Sequence, residues 1–295
     1  MPETPLRALV VAEASHPTTA PVAALAAAAR ERFGPATVAV LFYGSCRRTE
    51  QRDGLFDLYV LLDGYRSLPF VERQLARVLP PNVYYLEAAF DGARLRSKCT
   101  VISLADFERG TRQWFHSYLW ARFAQPVTLA WTRDQDARLR VEGALVAAVE
   151  KFLTESGSLV SAGADPATVW ITGLAASYGT ELRSESADRA RELYTANATW
   201  FDAAARSRSQ DRSHKGSGGA ALRAKWSVRR ISGKLLSLAR VLKSAYTFDG
   251  GLDYIVWKLE RHSGRRIDVP DAVRRAPAIH MWGFFWRLYR EGVFR

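Results

Sequence analysis

The chain has 295 residues, 48% of them apolar, and a formal charge of +12, which is enough for one large domain or two modest ones with a real core. Its two cysteines, Cys46 and Cys99, exclude a disulfide framework and carry no metal-ligand spacing, and no apolar run reaches the roughly 18 residues of a bilayer span. Residues 206–295 hold 20 Lys/Arg against 7 Asp/Glu, whereas residues 1–205 hold 22 against 23, so a polyanionic partner is expected for the C-terminal third.

The opening MPETPLRALVVAEASHP has an early acid and no basic stretch, unlike a secretory or transit leader. With no disulfides expected, the reading is a soluble or peripheral protein of a reducing, cytoplasmic compartment. Residues 18–33 read as an Ala-rich helix. TVAVLFYGS is a β-branched and aromatic run ending in Gly-Ser, a buried strand and a tight turn. LFDLYVLLD is a second buried strand, and SLPFVERQLARVLP a short helix stopped by Pro80–Pro81. VYYLEAAF and RSKCTVISL are a third and fourth strand around a hairpin turn at DGAR. From Ala105 the pattern becomes helical, and SRSQDRSHKGSGGA (207–220) reads as a mobile Gly/Ser-rich loop. The expected organisation is a catalytic domain over 1–104, a helical domain completing the site over 105–206, a linker over 207–221 and a basic, aromatic-rich region over 222–295.

The chemistry is concentrated in FYGSCRRTEQRDGLFDLYVLLD. An apolar strand ends at Gly44–Ser45, eleven residues follow, and Asp57 then stands on the next apolar strand. A glycine lets backbone approach a triphosphate, and backbone N–H groups with a serine hydroxyl hold phosphate oxygens. A carboxylate on the adjacent strand suits Mg²⁺ bound to those phosphates. This is the nucleotidyltransferase pattern, which usually carries a second acid two residues after the first, on the same face. Here that residue is Tyr59. The departure fits a degenerate enzyme, a single tightly held metal or compensation by another carboxylate, for which Glu87 on the third strand is the expected replacement ligand. Asp63 lies about 20 Å along the strand from Asp57 and is too far to share an ion.

The order of further segments extends the resemblance. FYGS, FDLYVLLD, PPNVYYLE, RSKCTVISLADF, WFHSYLWARFAQPV and SYGTELRSE, spanning about residues 38–205, resemble in sequence the mitochondrial-type, peripheral phosphatidate cytidylyltransferases. The resemblance implies a nucleotidyltransferase-fold mixed α/β sheet followed by a helical region. It implies CTP and an acidic phospholipid as substrates, Mg²⁺ as cofactor, and a CDP-lipid and pyrophosphate as products. It further implies that Gly44 and Ser45 hold triphosphate, that Asp57 binds Mg²⁺, and that Tyr84, Tyr85 and Lys98 line the site. Arg122, Gln125, Tyr178, Glu181 and Arg183 fall on segments expected to face the nucleotide or the lipid head group. Glu87 stands where the family often has Asn, Glu181 near where it has Asp, and the region after 222 matches nothing in the mitochondrial members.

On a helical wheel of 226–243, Val228, Ile231, Leu235, Leu238, Ala239 and Leu242 share an arc of about 100°, with Arg229, Arg230, Lys234, Arg240 and Lys243 outside it. That pattern fits an interfacial helix on an anionic membrane, and equally a surface helix packed on its own domain. The aromatic and cationic extreme C-terminus, HMWGFFWRLYREGVFR, suits a headgroup interface or docking into the core. Nucleic acid is the less favoured polyanion, because no helix-turn-helix, zinc-finger or RNA-binding signature is present. His116, His262 and His280 have no ligand spacing, and Cys46 reads as a small filler at the turn. Two further readings stand beside the lipid enzyme. One is a nucleotidyltransferase acting on a soluble phosphate or RNA. The other is a degenerate fold serving as a binding module, which Tyr59 keeps open.

Overall fold

The protein is described from a computed structural model, covering residues 4–49, 55–181, 187–209, 220–247, 260 and 266–275, with 283, 284, 286, 287 and 290. The expected ligand Arg183, His262 and His280, most of the loop expected over 207–220 and most of the extreme C-terminus lie outside the described residues.

Five strands form one mixed sheet in the order β3-β4-β2-β1-β5. They are β1 Thr37–Tyr43, β2 Leu55–Leu62, β3 Asn82–Phe90, β4 Ala93–Ser103 and β5 Thr128–Thr132. Only β2 and β4 run parallel; the other neighbours are antiparallel. The DG expected as a hairpin turn between β3 and β4 has φ of 50° at Asp91 and 70° at Gly92, the positive values a tight two-residue connection needs. The first four strands and helices α2 (Ala20–Phe33) and α4 (Phe70–Val78) fall where the sequence pattern puts them.

Both sheet faces are covered, which is why β1 and most of β2 read as continuous apolar runs instead of alternating ones. Val40, Phe42, Leu58, Val60, Cys99 and Val101 point to one face and pack with α2. Leu41, Tyr43, Tyr59, Leu61 and Ile102 point to the other. There they meet α5 (Leu104–Arg112), α6 (Trp120–Phe123) and α7 (Gln135–Gly157), behind which lie α8 (Pro166–Tyr178), α9 (Ala187–Thr195) and α10 (Ala198–Ser209).

Helix α1 (Pro5–Ala14) and strand β5 are absent from the sequence reading. The helix is capped by Thr4 and buries Leu6, Val10 and Ala14. Strand β5 extends the sheet beyond β1 from inside the stretch expected to be wholly helical. Five residues of apolar sequence carry too little period to separate strand from helix. The segment from 105 onward therefore contributes to the sheet and shares its core.

In helix α11 (Ala220–Thr247) two of the charges expected outside the apolar arc are turned into the protein. Arg229 is 1% exposed and Lys243 6%. Arg229 donates to Phe115 O at 2.7 Å, pairs with Glu155 at 3.1 Å and lies against the Trp226 ring at 4.4 Å. Lys243 donates to Leu79 O, Pro81 O and Asn82 Oδ1, while burial and then Arg240 push its pKa down to about 7. The helix docks through basic side chains, and each buried one finds a carboxylate or a carbonyl. Among the described residues, no helix is long and apolar enough to cross a membrane.

Candidate functional site

The strand register assembles the first wall. Tyr43 on β1 stands opposite Asp57 on β2, and Asp57 opposite Lys98 on β4. Directly opposed residues share a face, so this row crosses three strands on the side covered by α5–α10. All three side chains line one cleft, together with Gly44 and Ser45. Gly44 has a φ of +89°, and a Cβ there would lie 2.5 Å from Asp57 Oδ2. Glycine is therefore required twice, for the left-handed backbone and for the close approach of the turn to the carboxylate. The turn continues into the single-turn helix α3 (Ser45–Thr49), which is tethered from behind. Arg47 donates to Thr128 Oγ1 on β5 at 2.9 Å and pairs with Glu13 of α1. Helix α1 and strand β5, missing from the sequence reading, thus fix the turn in place.

The facing wall comes from α6, α8 and α9. Arg122, Gln125, Tyr178 and Glu181 line the cleft as the resemblance implies, and Arg189, Leu193 and Asn197 join them. Arg122 pairs with Glu181 at 3.0 Å and lies over the Tyr118 ring at 4.4 Å. Burial lowers the Arg122 pKa, but Tyr118 and Glu181 outweigh it and hold the guanidinium well above its ordinary value. Burial alone would raise the Tyr118 phenol; Arg122, Lys98 and Arg240 pull it below its ordinary value. Gln125 donates to the Tyr178 hydroxyl at 3.1 Å, holding that ring at the edge of the cleft. Two carboxylates and three cations, from β2, β4, α6, α9 and the end of α8, thus converge on one opening. Such a lining sets cations beside carboxylates, the chemistry suited to a ligand with several negative charges.

Three expected site residues are not brought here. Glu87 sits on β3, which β4 separates from β2. Two strand spacings and two residues of rise place it about 12 Å from Asp57, too far to share an ion. Its carboxylate accepts from the Tyr85 hydroxyl at 2.7 Å and pairs with Arg94 and Arg96. Tyr85 faces the same side as Lys98 but on the edge strand, and it does not line the cleft. Tyr84 points to the opposite face, where it donates to Glu72 at 2.7 Å and meets the Phe33 ring edge-on. Alternation along β3 requires that these two tyrosines part.

Tyr59, in the position of the usual second acid, is fully buried, with its ring edge-on to Phe123 at 4.8 Å and to Tyr43 at 5.5 Å. An acid there would be desolvated among aromatic rings. Asp63 lies at the far end of β2 and pairs with Arg133. Cys46 is buried and donates to Leu55 O, a filler at the turn as expected. His116 is held near pKa 4 by burial and by Arg240 and Arg229, and so is neutral at pH 7.

The sequence contains only faint signals for the added lining residues. Tyr43 shares parity with Asp57 across the turn, and Pro126 follows Gln125. Arg189 and Leu193 are four apart on α9, a spacing found on any amphipathic helix. Among the described residues no group of three or more His, Cys, Asp or Glu side chains is placed to hold a metal ion. No protein-family model matches the chain, and no curated protein matches it.

Proposed function

We propose that this cleft is the active site of a nucleotidyltransferase-fold enzyme, a Mg²⁺-dependent cytidylyltransferase. It would convert CTP and a phosphatidate-like lipid to a CDP-lipid and pyrophosphate. The observation that carries the reading is the contact of the Gly44 turn with Asp57, at a distance no other residue would allow. It sets one carboxylate beneath a phosphate-holding turn and among Lys98, Arg122 and Arg189. The choice of cytidine and of a lipid acceptor comes from the sequence resemblance.

Mg²⁺ commonly takes one or two protein carboxylates and completes its shell with phosphate oxygens and water. Asp57 supplies one carboxylate facing the cleft, and Glu181 pairs with Arg122. The residues therefore fit an ion held by Asp57 together with the nucleotide. When bound, the ion neutralises phosphate charge and aligns the α-phosphorus for in-line attack. The Gly44–Ser45 backbone and the Ser45 hydroxyl hold phosphate oxygens, and Lys98 offsets the charge that builds on the departing pyrophosphate. A lipid phosphate oxygen forms the new bond to the α-phosphorus as the bond to the bridging oxygen breaks, and pyrophosphate leaves with that electron pair. The acceptor phosphate is already ionised at neutral pH, so alignment and charge neutralisation suffice without a general base. The protein would work as a peripheral enzyme on the cytoplasmic face of the inner membrane.

The test is radiolabelled CTP with phosphatidate in mixed micelles, with and without Mg²⁺. Label should enter the organic phase only with Mg²⁺, and Asp57→Ala should reduce that rate at least about a hundredfold with an unchanged circular dichroism spectrum. Full activity of Asp57→Ala would remove the metal assignment. Label on a water-soluble acceptor instead would keep the fold and change the substrate. Absence of CTP binding by calorimetry would favour the degenerate binding module that Tyr59 permits.

A further inference from the structure

Helix α11 is amphipathic, and it docks on the protein by part of its charged side. Its docked side holds Trp226, Arg229, Gly233 and Lys243, all buried. Its outer side carries Val228 at 57% exposure, Ile231 at 63%, Leu235 at 62% and Leu238 at 45%. At about 100° per residue these four fall within an arc of about 80°. The cations Arg223, Arg230 and Lys234 are exposed beside that arc. Helix α4 packs on α11 and adds Phe70, Val71 and Val78, exposed by 66%, 58% and 84%. Water gains nothing from an apolar stripe of this kind, and stripes rimmed by polar groups mark contact surfaces.

We infer that the outer face of α11, with the exposed face of α4, seats the protein on an anionic lipid surface. The apolar stripe enters the headgroup boundary, and Arg223, Arg230 and Lys234 meet acidic headgroups. The charge pattern favours this occupant over a second copy of the chain, because the same cations would then face each other across a two-fold axis. The choice of lipid also rests in part on the lipid acceptor proposed above. The helix that carries the seat adjoins the cleft by its docked side. A Cβ on Gly233 would lie 2.8 Å from Thr180 O, one residue before the cleft-lining Glu181. Arg240 lies over the Tyr118 ring at 4.2 Å, and the cleft residue Arg122 lies over the same ring. A phosphate carried by an amphiphile would have a short way from the bilayer boundary to the cleft.

Flotation of the full chain with phosphatidylcholine vesicles, plain or mixed with phosphatidylglycerol, tests this. The protein should float with the mixed vesicles and weakly or not at all with the plain ones. I231D/L235D should weaken the partition by more than about tenfold, while L139D, at an exposed apolar site on α7, should leave it unchanged. No flotation of the parent chain, or equal flotation of I231D/L235D, would overturn the inference. Loss of a dimer in the variant without vesicle binding by the parent would assign the face to a second copy. A large fall in melting temperature of I231D/L235D, again without vesicle binding, would assign it to the chain's own C-terminal segment. Vesicle binding without CTP binding would keep this surface and remove the catalytic reading, and the converse would remove only the surface.

Discussion

The Gly44 turn and helix α11 are both marked in the sequence, and the structure treats the two marks differently. At the turn, chain order already fixes geometry. The neighbouring strands on either side of Gly44 set Tyr43 opposite Asp57, and register then adds Lys98 on the next strand. In α11 the periodicity defines an apolar and a charged face but says nothing about which one docks. That depends on Glu155, Phe115 O and the carbonyls of Leu79 and Pro81, from distant parts of the chain. A local pattern can be read into geometry where its partners are local, and is ambiguous where they are not.

The sharpest way to break this comparison is to remove a cation by which α11 docks. Arg229 is almost wholly buried, between Glu155, Phe115 O and three aromatic rings. Burial pushes the Glu155 carboxyl up, but Arg229 and Lys225 outweigh it and hold it below its ordinary value. Glu155 would keep Lys225, but losing the pair together with the packing of a buried side chain costs about 3–5 kcal/mol, as for a broken buried pair. Arg229→Ala should lower the urea midpoint accordingly and open α11 to limited proteolysis. An unchanged midpoint would mean that the helix is held by something other than its charges. Arg229→Met, which keeps the bulk, separates lost packing from lost charge.

A smaller effect is expected at the turn. Gly44→Ala combines a left-handed backbone with a contact between Cβ and Asp57 Oδ2, a strain of about 1–3 kcal/mol. Stability should fall by that amount, and the displaced carboxylate should weaken Mg²⁺-dependent CTP binding in calorimetry by at least about tenfold. Retained binding in the face of lost stability would separate the turn from the nucleotide and leave Gly44 a purely structural glycine.

How much could be read in advance follows from the same distinction. Four of five strands, α2, α4, Asp57, Lys98, the Gly44–Ser45 turn and the wall of Arg122, Gln125, Tyr178 and Glu181 were legible from pattern and segment order. Strand β5 and helix α1 were not, because five apolar residues carry little period and α1 gains its place by packing on α7 and α10. Arg189 and Asn197 reach the cleft only through the packing of α9 on α8. Glu87 was misplaced for a definite reason. An acid on a third strand helps a metal only if that strand neighbours the second, and here β4 lies between them.

Glu87→Gln is therefore the control that should do almost nothing. Its carboxylate accepts from Tyr85 and pairs with Arg94 and Arg96 on the edge of the sheet, with side-chain exposures of 32%, 69% and 28% for the three charged groups. Exposed pairs of this kind contribute about 0–1 kcal/mol. The amide keeps an oxygen for the Tyr85 hydroxyl, so the midpoint should move by less than about 1 kcal/mol in free energy. Mg²⁺-dependent turnover should stay within about threefold of the parent. A collapse of turnover comparable to that of Asp57→Ala, in a folded variant, would require Glu87 to reach the ion after all. Because Tyr85, Lys98 and Asp57 occupy one crosswise row, that could happen only if the edge strand moved toward β2 when the nucleotide binds, and the sheet order leaves no room for such a step without displacing β4.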